Sequence, residues 1–440
     1  MNILLIYPRY QWREMGQTQE PLGILYIASV LRNNGFGIKF LDFTFEKSLD
    51  KLSEAVQWAD AVGLTTSSVL FNRAHYILQK VKSLRPDLPV VCGGPHPSAD
   101  PEGTLKAGFD YIVIGEGEVS GLKLFQNIAQ GRDGSGIDGV WMRKGDEIFR
   151  TPLRSFIPDL DSIPFPARDL LDYTTYLKNG MLQVGISLSR GCPFQCRFCK
   201  PMQDLIFGRK LRKRSPENVA EEIEWSVKLT NHKFFLFRDD NLASLGLSWF
   251  QKLRSEMEKR NLKFFFSGQT RVNDVSEELV KELKAIGLVG LAFGVESGSQ
   301  KIIDYYNKKF KVEDSVRAFE ICHQLGVGTH CFIIIGAPEE TREDLQMTIE
   351  LVKRLKPESI TISRLTPAPG TYLHTETLKQ GLLKDVSWEE WDFYKNQSPL
   401  KLAHLTEEDL REAENTLRSL VPGSVLYPRL EINKESCLCF

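Results

Sequence analysis

The sequence predicts an α/β protein with two consecutive parallel sheets. Residues 1 to about 135 alternate short apolar strands with amphipathic helices five times, the pattern of a doubly wound, Rossmann-like sheet. From residue 183 a second alternation has six strands in units of about 30 residues, which predicts a barrel-like sheet, complete or partial. Between the two, Pro158, Pro164 and Pro166 with interleaved apolar residues predict an extended connector strapped onto a surface.

Apolar periodicity, with Gly, Pro and capping residues as boundaries, predicts the individual elements. In the first region we expect strands at 2–7, 37–43, 61–67, 88–92 and 111–114, and helices at 22–33, 49–58, 73–83, 101–107 and 121–129. Residues 139–150 predict a β-hairpin. In the second region we expect strands at 185–189, 234–238, 263–268, 289–295, 331–335 and 359–364, and helices at 217–228, 249–260, 277–286, 312–325 and 342–355. A last helix, 407–420, begins after Thr406, with Asp409 completing an acidic capping box.

We therefore divide the chain into four segments. They are a Rossmann-like domain (1–137), a hairpin with a proline-rich connector (138–182), a barrel (183–372) and a small, mostly helical C-terminal extension (373–440). The role of the extension, with its aromatic cluster at 388–394, stays open between core packing and substrate contact.

Composition excludes several classes of protein. The 440 residues are 42% hydrophobic and 26% charged, as in ordinary globular proteins, and the net charge of −1 argues against a nucleic-acid partner. The apolar start is too short for a signal peptide, and no run of about 20 apolar residues predicts a membrane span, so we expect a cytoplasmic protein. The terminal C-L-C-F matches a prenylation pattern by letter only, because no second lipid signal precedes it. The basic run 209–214 is interpreted as a solvated loop, with recognition of an anionic substrate left open.

The most informative stretch is S-R-G-C-P-F-Q-C-R-F-C-K, residues 189–200. Cys192, Cys196 and Cys199 follow the spacing Cys-x3-Cys-x2-Cys, so one loop brings three thiolates together. Four-iron clusters usually take four thiolates, so three would leave one iron open to a small molecule. Zinc sites favour paired ligand sets, and a disulfide framework is unusual in so long a chain with few cysteines.

This loop resembles that of the radical S-adenosylmethionine (SAM) enzymes, in which an aromatic residue, here Phe198, commonly precedes the last cysteine. The resemblance implies a partial (β/α)6 TIM-like barrel and a four-iron–four-sulfur cluster on Cys192, Cys196 and Cys199 as the catalytic centre. It also implies SAM on the open iron, cleaved by one electron to a 5′-deoxyadenosyl radical that abstracts hydrogen from the substrate. The electron would come from a donor such as flavodoxin or ferredoxin.

The segments after the barrel strands resemble the family's SAM-binding segments. Asp240 is expected to pair with the amino group of SAM, and Arg271 to clamp its carboxylate as a planar fork. Glu296 and Ser297, within G-V-E-S-G-S, are expected to bind ribose hydroxyls or the amino-acid part. Expected on the adenine side are Gly336, Pro338 and Pro367.

Small and hydroxyl residues mark the strand ends of the first sheet, where ligands bind in such folds. No dinucleotide fingerprint or P-loop is present. P-L-G-I-L-Y-I-A-S-V-L, G-G-P-H-P and I-G-E-G-E resemble the cobalamin-binding domain of a large radical SAM subgroup. No D-x-H-x-x-G motif supplies a histidine to cobalt. His96 lies near the ligand edge of the sheet, and its flanking prolines favour a loop residue near the corrin over a cobalt ligand. Expected to contact cobalamin are Tyr7, Pro8, Thr65, Ser67, Gly93, Gly94, His96, Gly115, Glu116 and Gly117.

The functional hypothesis is a cobalamin-dependent radical SAM methyltransferase acting on an unactivated carbon of a small-molecule or lipid-like substrate. One alternative is an enzyme of the same build that performs a cyclisation, oxidation or rearrangement without methyl transfer. The other is a non-catalytic corrinoid- or metal-binding module. Identifying the substrate is beyond these motifs.

Overall fold

The computed structural model describes residues 1–8, 19–46, 48–181, 183–385 and 398–421. Within these residues the chain forms one sheet of seven strands, one of six strands and a short two-stranded ladder. The predicted α/β class, with a Rossmann-like sheet followed by a partial barrel, is confirmed.

The first sheet has the strand order β2-β1-β3-β4-β5-β6-β7. Its strands are β1 (Asn2–Tyr7), β2 (Gly37–Asp42), β3 (Ala61–Thr65), β4 (Val90–Gly93), β5 (Tyr111–Val113), β6 (Val140–Lys144) and β7 (Glu147–Phe149). Its helices are α1 (Leu22–Asn33), α2 (Asp50–Trp58), α3 (Phe71–Leu84), α4 (Pro95–Ala99), α5 (Pro101–Lys106) and α6 (Gly117–Ala129). Because β2 and β3 lie on opposite sides of β1, the strand order reverses there and opens a crevice at their carboxyl ends.

The apolar run of β1 explains why helices cover both faces of this sheet. Successive side chains of a strand point to opposite faces, so Ile3 and Leu5 enter one core while Leu4 and Ile6 enter the other. A strand buried on both sides is the expected arrangement in a parallel sheet.

The second sheet has the order β8-β11-β12-β13-β14-β15, with all strands parallel and sequential. The strands of this region are β8 (Val184–Ile186), β9 (Ser189–Arg190), β10 (Arg212–Lys213), β11 (Phe234–Phe237), β12 (Phe265–Thr270), β13 (Leu288–Glu296), β14 (Gly328–Ile335) and β15 (Ser359–Arg364). Among the described strands, β8 pairs only with β11 and β15 only with β14, so the barrel is partial. The antiparallel pair β9–β10 forms the separate ladder.

The described residues after the first sheet also form ten α-helices. They are α7 (Tyr173–Lys178), α8 (Met202–Phe207), α9 (Pro216–Thr230), α10 (Leu247–Lys259), α11 (Glu277–Ile286), α12 (Gln300–Tyr305), α13 (Val312–Gln324), α14 (Arg342–Leu355), α15 (Tyr372–Lys379) and α16 (Glu407–Leu420). Thr341 begins α14 and Thr406 begins α16 with capping boxes, the second as predicted.

Some elements differ from the prediction. The hairpin β6–β7, which we grouped with the connector, pairs antiparallel with β5 and extends the first sheet. The short helices α4, α8 and α12 were not expected, because each has too few turns to show an apolar period. The aromatic cluster at 388–394 lies outside the described residues. Of the helices described, none combines the length and apolarity that crossing a membrane requires.

A buried charge network joins the two sheets. The side chain of Arg168, which is 0% exposed, donates to Glu20 at 2.5 Å, to Glu222 at 2.8 Å and to the carbonyl of Gly185 at 2.6 Å. Arg214 pairs with the other oxygen of Glu222. Glu20 precedes α1 and Gly185 lies in β8, so the network ties the first domain to the first barrel strand.

Candidate active site at the barrel mouth

The cysteine loop follows β9 and lies at the carboxyl end of the barrel strands. Cys192, Cys196 and Cys199 are all partly buried, and the backbone N–H of Cys199 donates to the carbonyl of Cys196 at 3.1 Å. Burial raises the pKa of the Cys199 thiol to about 12, and it also raises the pKa of Cys192. Binding to iron must therefore displace protons from these thiols.

The donor set fits a four-iron cluster better than a single metal ion. Among the described residues no three His, Cys, Asp or Glu side chains converge on one ion, as a mononuclear zinc site requires. In a four-iron cluster each thiolate binds a different iron. The other described cysteines, Cys92, Cys322 and Cys331, are buried within a strand or a helix. The loop thus offers three thiolates and leaves a fourth position for an exogenous ligand.

The loop is held from behind by the segment that follows α12. The N–H of Arg197 donates to the carbonyl of Tyr306 at 3.0 Å, and the amide of Asn307 donates to the carbonyl of Gln195 at 2.8 Å. The ring of Phe198 packs edge-on against Tyr306, with centroids 5.5 Å apart. Phe198 therefore forms part of the apolar wall behind the loop.

The C-terminal extension also holds the loop. The N–H groups of Tyr372 and Leu373, at the start of α15, donate to the carbonyls of Lys200 and Arg197 at 2.7 and 3.2 Å. The guanidinium of Arg197 pairs with Glu376 one turn further along this helix. The first helix of the extension is thus part of the support of the site.

Arg271 immediately follows β12 and points at the cysteine loop. Its Nη1 lies 3.4 Å from Sγ of Cys196, and its guanidinium lies 3.9 Å from the ring centroid of Phe194. Another nitrogen of the guanidinium donates to the carbonyl of Lys308. A fixed cation beside the loop is well placed to bind a carboxylate, as expected for SAM.

Two adjacent carboxylates follow β11 but differ in environment. Asp239 is buried, and burial raises its pKa to about 7 although Ser189 and the N–H of Leu188 donate to it. Asp240 is exposed at the barrel mouth, and its carboxylate accepts a hydrogen bond from Gln203. Desolvation by the surrounding protein raises the pKa of this carboxyl. Asp239 anchors the start of the loop, whereas Asp240 faces the open mouth.

Glu296 and Ser297 terminate β13. Glu296 has a left-handed backbone (φ 66°), and its carboxylate accepts from Nζ of Lys308 at 2.7 Å. The hydroxyl of Ser297 is buried and lies 3.1 Å from that of Thr348. The Glu296–Lys308 ion pair lies at the site. Ser297 instead attaches the turn after β13 to α14, through Thr348.

The segments expected on the adenine side are backed by a buried acid. Glu340 accepts from the N–H groups of Gly336 and Ala337, at 2.5 and 3.1 Å, and burial raises its pKa to about 7. Pro338 and Pro367 are buried, and the carbonyl of Pro338 accepts from Ala403 at 3.0 Å.

The carboxyl edge of the first sheet has small, partly exposed residues at its crevice. Tyr7 ends β1 and the buried Pro8 follows it, while Thr65 ends β3 and Ser67 lies two residues further on. Burial raises the pKa of Tyr7 to about 12. A Cβ on Gly93 would meet no atom of the described residues within 4 Å. In the part of the chain that the structure describes, this edge therefore leaves room for a flat ring to approach the backbone at Gly93, which fits a corrin.

His96 lies inside the first domain. Its imidazole is 0% exposed, Nδ1 lies 3.0 Å from the hydroxyl of Ser68, and its ring packs on Phe71 with centroids 4.0 Å apart. Burial lowers its pKa to about 4, so the ring is neutral.

The I-G-E-G-E segment after β5 contacts the barrel domain. A Cβ on Gly115 would lie 2.9 Å from the carbonyl of Leu205 in α8, whereas one on Gly117 would lie 3.1 Å from Ile27 in α1 of the same domain. The carboxylate of Glu116 binds Arg190 and Arg212 at 3.0 Å each. Glu116 thus bridges the two domains.

Sequence reasoning did not find Lys200 and Lys308. Lys200 is 1% exposed and donates from Nζ to the carbonyl of Cys192 at 2.9 Å, while Lys308 binds Glu296. Lys200 could have been suspected, because it directly follows the last cysteine. Lys308 belongs to no motif, and only the fold brings it to the site.

Comparisons with known proteins agree with this geometry. Residues 12–123 match the family model of the B12 binding domain, and residues 186–352 match that of the radical SAM superfamily. The chain is 30% identical to an uncharacterised methyltransferase of Pyrococcus horikoshii, over 98% of this chain and 94% of that one. It is 31% identical to the anaerobic magnesium-protoporphyrin IX monomethyl ester cyclase of Rubrivivax gelatinosus, over 86% of this chain and 70% of that one.

Among solved structures, the radical SAM methyltransferase TsrM of Kitasatospora setae, with cobalamin and a [4Fe-4S] cluster bound, has the same fold. The TM-score is 0.76 at 20% identity, and the match covers 98% of this chain and 93% of that one. With both family models matched and relatives similar over nearly the whole chain, this protein belongs to the radical SAM superfamily, in the group that carries an N-terminal B12-binding domain.

Proposed function

We propose that this radical SAM enzyme methylates a carbon atom of a small-molecule or lipid-like substrate and uses cobalamin to do so. The observation that supports methyl transfer is the length of the match: the similarity to the Pyrococcus horikoshii methyltransferase runs through 94% of that chain, against 70% of the cyclase. Cyclisation without methyl transfer is the second candidate, because the cyclase is equally similar in sequence.

The residues at the barrel mouth divide the task of holding SAM and its cluster. Cys192, Cys196 and Cys199 would bind three irons, and we assign the carboxylate of SAM to Arg271 and its amino group to Asp240. Together the cluster, SAM and cobalamin supply radical generation and methyl transfer, which amino-acid side chains cannot perform.

The protein itself orients these groups and excludes water from the site. Glu340 holds the Gly336–Ala337 backbone in place, and Phe198, Tyr306 and Leu365 belong to an apolar cluster beside the loop. Such a wall protects a reactive radical from side reactions.

Two further parts of this proposal concern the cellular context. The reducing electron is assigned to a flavodoxin or ferredoxin. The enzyme is placed in the cytoplasm, where thiols that bind iron stay reduced.

The test is anaerobic reconstitution with iron, sulfide and hydroxocobalamin, followed by incubation with methyl-deuterated SAM and a reductant. Candidate substrates include tryptophan and magnesium-protoporphyrin IX monomethyl ester, which the names of similar proteins suggest. S-adenosylhomocysteine together with a deuteromethylated product supports methyl transfer. 5′-Deoxyadenosine with an unlabelled, oxidised product supports cyclisation instead. A loaded protein that forms neither product from SAM with any reductant contradicts both candidates.

A further inference from the structure

Arg190 stands two residues before Cys192, yet its side chain reaches into the other domain. Its Nη1 donates to Glu116 at 3.0 Å and its Nη2 donates to Glu118 at 2.5 Å. The side chains of Arg190, Glu116 and Glu118 are 11%, 2% and 8% exposed. The strand that leads into the cysteine loop is therefore bound to the carboxyl end of β5 by a nearly buried double ion pair.

A second arginine reinforces this link. Arg212 in β10 lies opposite Arg190 in the two-stranded ladder and binds Glu116 through both terminal nitrogens, at 3.0 and 2.9 Å. The same guanidinium donates to the carbonyls of Ile157 and Phe207 at 2.6 and 2.8 Å. The main-chain N–H of Ile157 donates to Glu116 at 2.8 Å. The carboxylate of Glu116 is thus fully engaged by the barrel domain and the connector.

The geometry fixes Arg190 in one orientation. Its guanidinium lies 5.5 Å from the ring centroid of Tyr26 and 5.7 Å from that of Phe207. A planar fork can bind two carboxylates at once, whereas the ammonium of lysine cannot reproduce this arrangement. Buried ion pairs add little net stability because desolvation offsets their attraction, but they can enforce one specific arrangement.

We propose that Arg190 is a positioning residue that fixes the cysteine loop relative to the first sheet, and hence the cluster relative to cobalamin. In this role Glu116 and Glu118 hold the loop and do not bind the corrin. The inference rests on the proposed function only in that methyl transfer requires the two cofactors at a set separation. A displacement of about 1 Å can change such a rate by about a hundredfold.

The test compares Arg190→Lys and Glu118→Gln with the wild-type holoenzyme loaded with iron, sulfide and cobalamin. Pulsed EPR of the protein with a reduced cluster and cob(II)alamin measures the magnetic coupling between the two paramagnetic centres. We expect changed coupling in both variants at unchanged iron and cobalamin content. We also expect product formation at saturating SAM to fall by about tenfold or more, with KM for SAM within about twofold of wild type.

Arg32→Gln is the matched control. It removes an arginine–aspartate pair between α1 and Asp169, but that pair is about 40% exposed and lies outside the loop's contacts. Its coupling and turnover should equal those of wild type. Should Arg190→Lys fail to fold, the double variant Arg190→Gln/Glu118→Gln takes its place in the test. It removes the charge from both partners of the ion pair.

Two results overturn the proposal. One is wild-type coupling in variants with full cofactor content. The other is weakened cobalamin binding in Glu116→Gln with unchanged coupling, since that assigns Glu116 to the corrin. A wild-type enzyme that fails to methylate any substrate contradicts the proposed function instead, and the EPR measurement remains valid because it needs only the bound cofactors.

Discussion

The molecule contains two parallel sheets built from the same strand–helix unit, and they present their carboxyl edges differently. In the first sheet the strand order reverses at β1, and the edge carries glycines and hydroxyl residues such as Thr65 and Gly93. In the second the strands follow in sequence around an open barrel, and the edge carries thiols and charged pairs such as Glu296–Lys308. One edge offers room for a ligand and the other offers ligating and charged groups.

This difference matches two kinds of binding. A large ring that is held by shape needs close backbone approach, which small residues permit. A cluster and a charged nucleoside need ligands and counter-charges in fixed positions. Each edge, and the connection between the two sheets, can be altered separately by substitution.

The largest effect is expected at the cysteine loop. Replacing Cys192, Cys196 and Cys199 by Ala should abolish both cluster absorption and SAM cleavage, because no described cysteine can replace them. Iron and sulfide analysis of the reconstituted protein measures the result. Cys322→Ala, which alters a buried thiol in α13, is the control and should retain full iron. Unchanged iron and SAM cleavage in the triple variant would refute the assignment of the cluster.

The next largest effect concerns the connection between the sheets. Arg168→Gln removes the cation that Glu20 and Oε1 of Glu222 share, and leaves these carboxylate oxygens buried. The free energy of unfolding should fall by about 3–5 kcal/mol. Urea denaturation of the apoprotein measures this loss. Arg32→Gln, which removes an exposed ion pair, should change the free energy of unfolding by less than about 1 kcal/mol. Equal stability of the two variants would show that the network does not hold the domains together.

Glu340 gives the barrel edge a pH dependence. Its pKa is raised by burial to about 7, so the folded protein binds a proton that the unfolded chain releases near its ordinary pKa. The stabilisation from the protonated form is complete at low pH and is lost as pH rises through about 7, by up to about 3 kcal/mol. Denaturation of the apoprotein between pH 5 and 8 should show this slope. Glu340→Gln, which keeps an acceptor for Gly336, should make the slope shallower without removing it, because burial also raises the pKa of Asp239 to about 7. An equally steep slope in the variant would exclude Glu340 as a source.

Substitutions at two neighbouring glycines, Gly93 and Gly94, separate backbone strain from ligand contact at the carboxyl edge of the first sheet. Gly94 has φ 101°, and a Cβ there would lie 2.7 Å from Thr65 Oγ1, so Gly94→Ala should destabilise the protein by about 1–3 kcal/mol. A Cβ at Gly93 meets no atom of the described residues within 4 Å, so Gly93→Ala should leave stability unchanged while weakening cobalamin binding. Thermal denaturation and cobalamin titration separate the two effects. Undiminished cobalamin affinity in Gly93→Ala would move the corrin away from β4.

The smallest effect is expected at Arg271. Arg271→Lys keeps the charge but loses the planar fork, so KM for SAM should rise by about tenfold, roughly 1.4 kcal/mol, with little change in cluster content. Steady-state SAM cleavage measures it. Lys309→Gln removes an exposed cation next to Lys308, the residue whose carbonyl accepts from Arg271, and is the control. If Arg271→Lys and the control show the same KM, Arg271 does not clamp SAM.

The sequence by itself determined the fold and the chemistry of the site. Apolar periodicity over whole strands predicted both sheets, because burial on two faces requires nearly continuous apolar runs such as Ile3–Ile6. Three cysteines within eight residues of a single loop specify a ligand set without any knowledge of the rest of the chain. Such patterns can be recognised from the sequence alone, because the residues that form them are close together in the chain.

Only the tertiary structure decided which charged residues serve which purpose. Arg190 and Glu116 are 74 residues apart, and Arg168 and Glu20 are 148 residues apart. From the sequence, the basic run 209–214 was interpreted as a solvated loop, yet Arg212 and Arg214 within that run are buried in ion pairs. An ion pair forms wherever packing brings opposite charges together and removes water, and neither condition is encoded by the residues on either side of a single arginine.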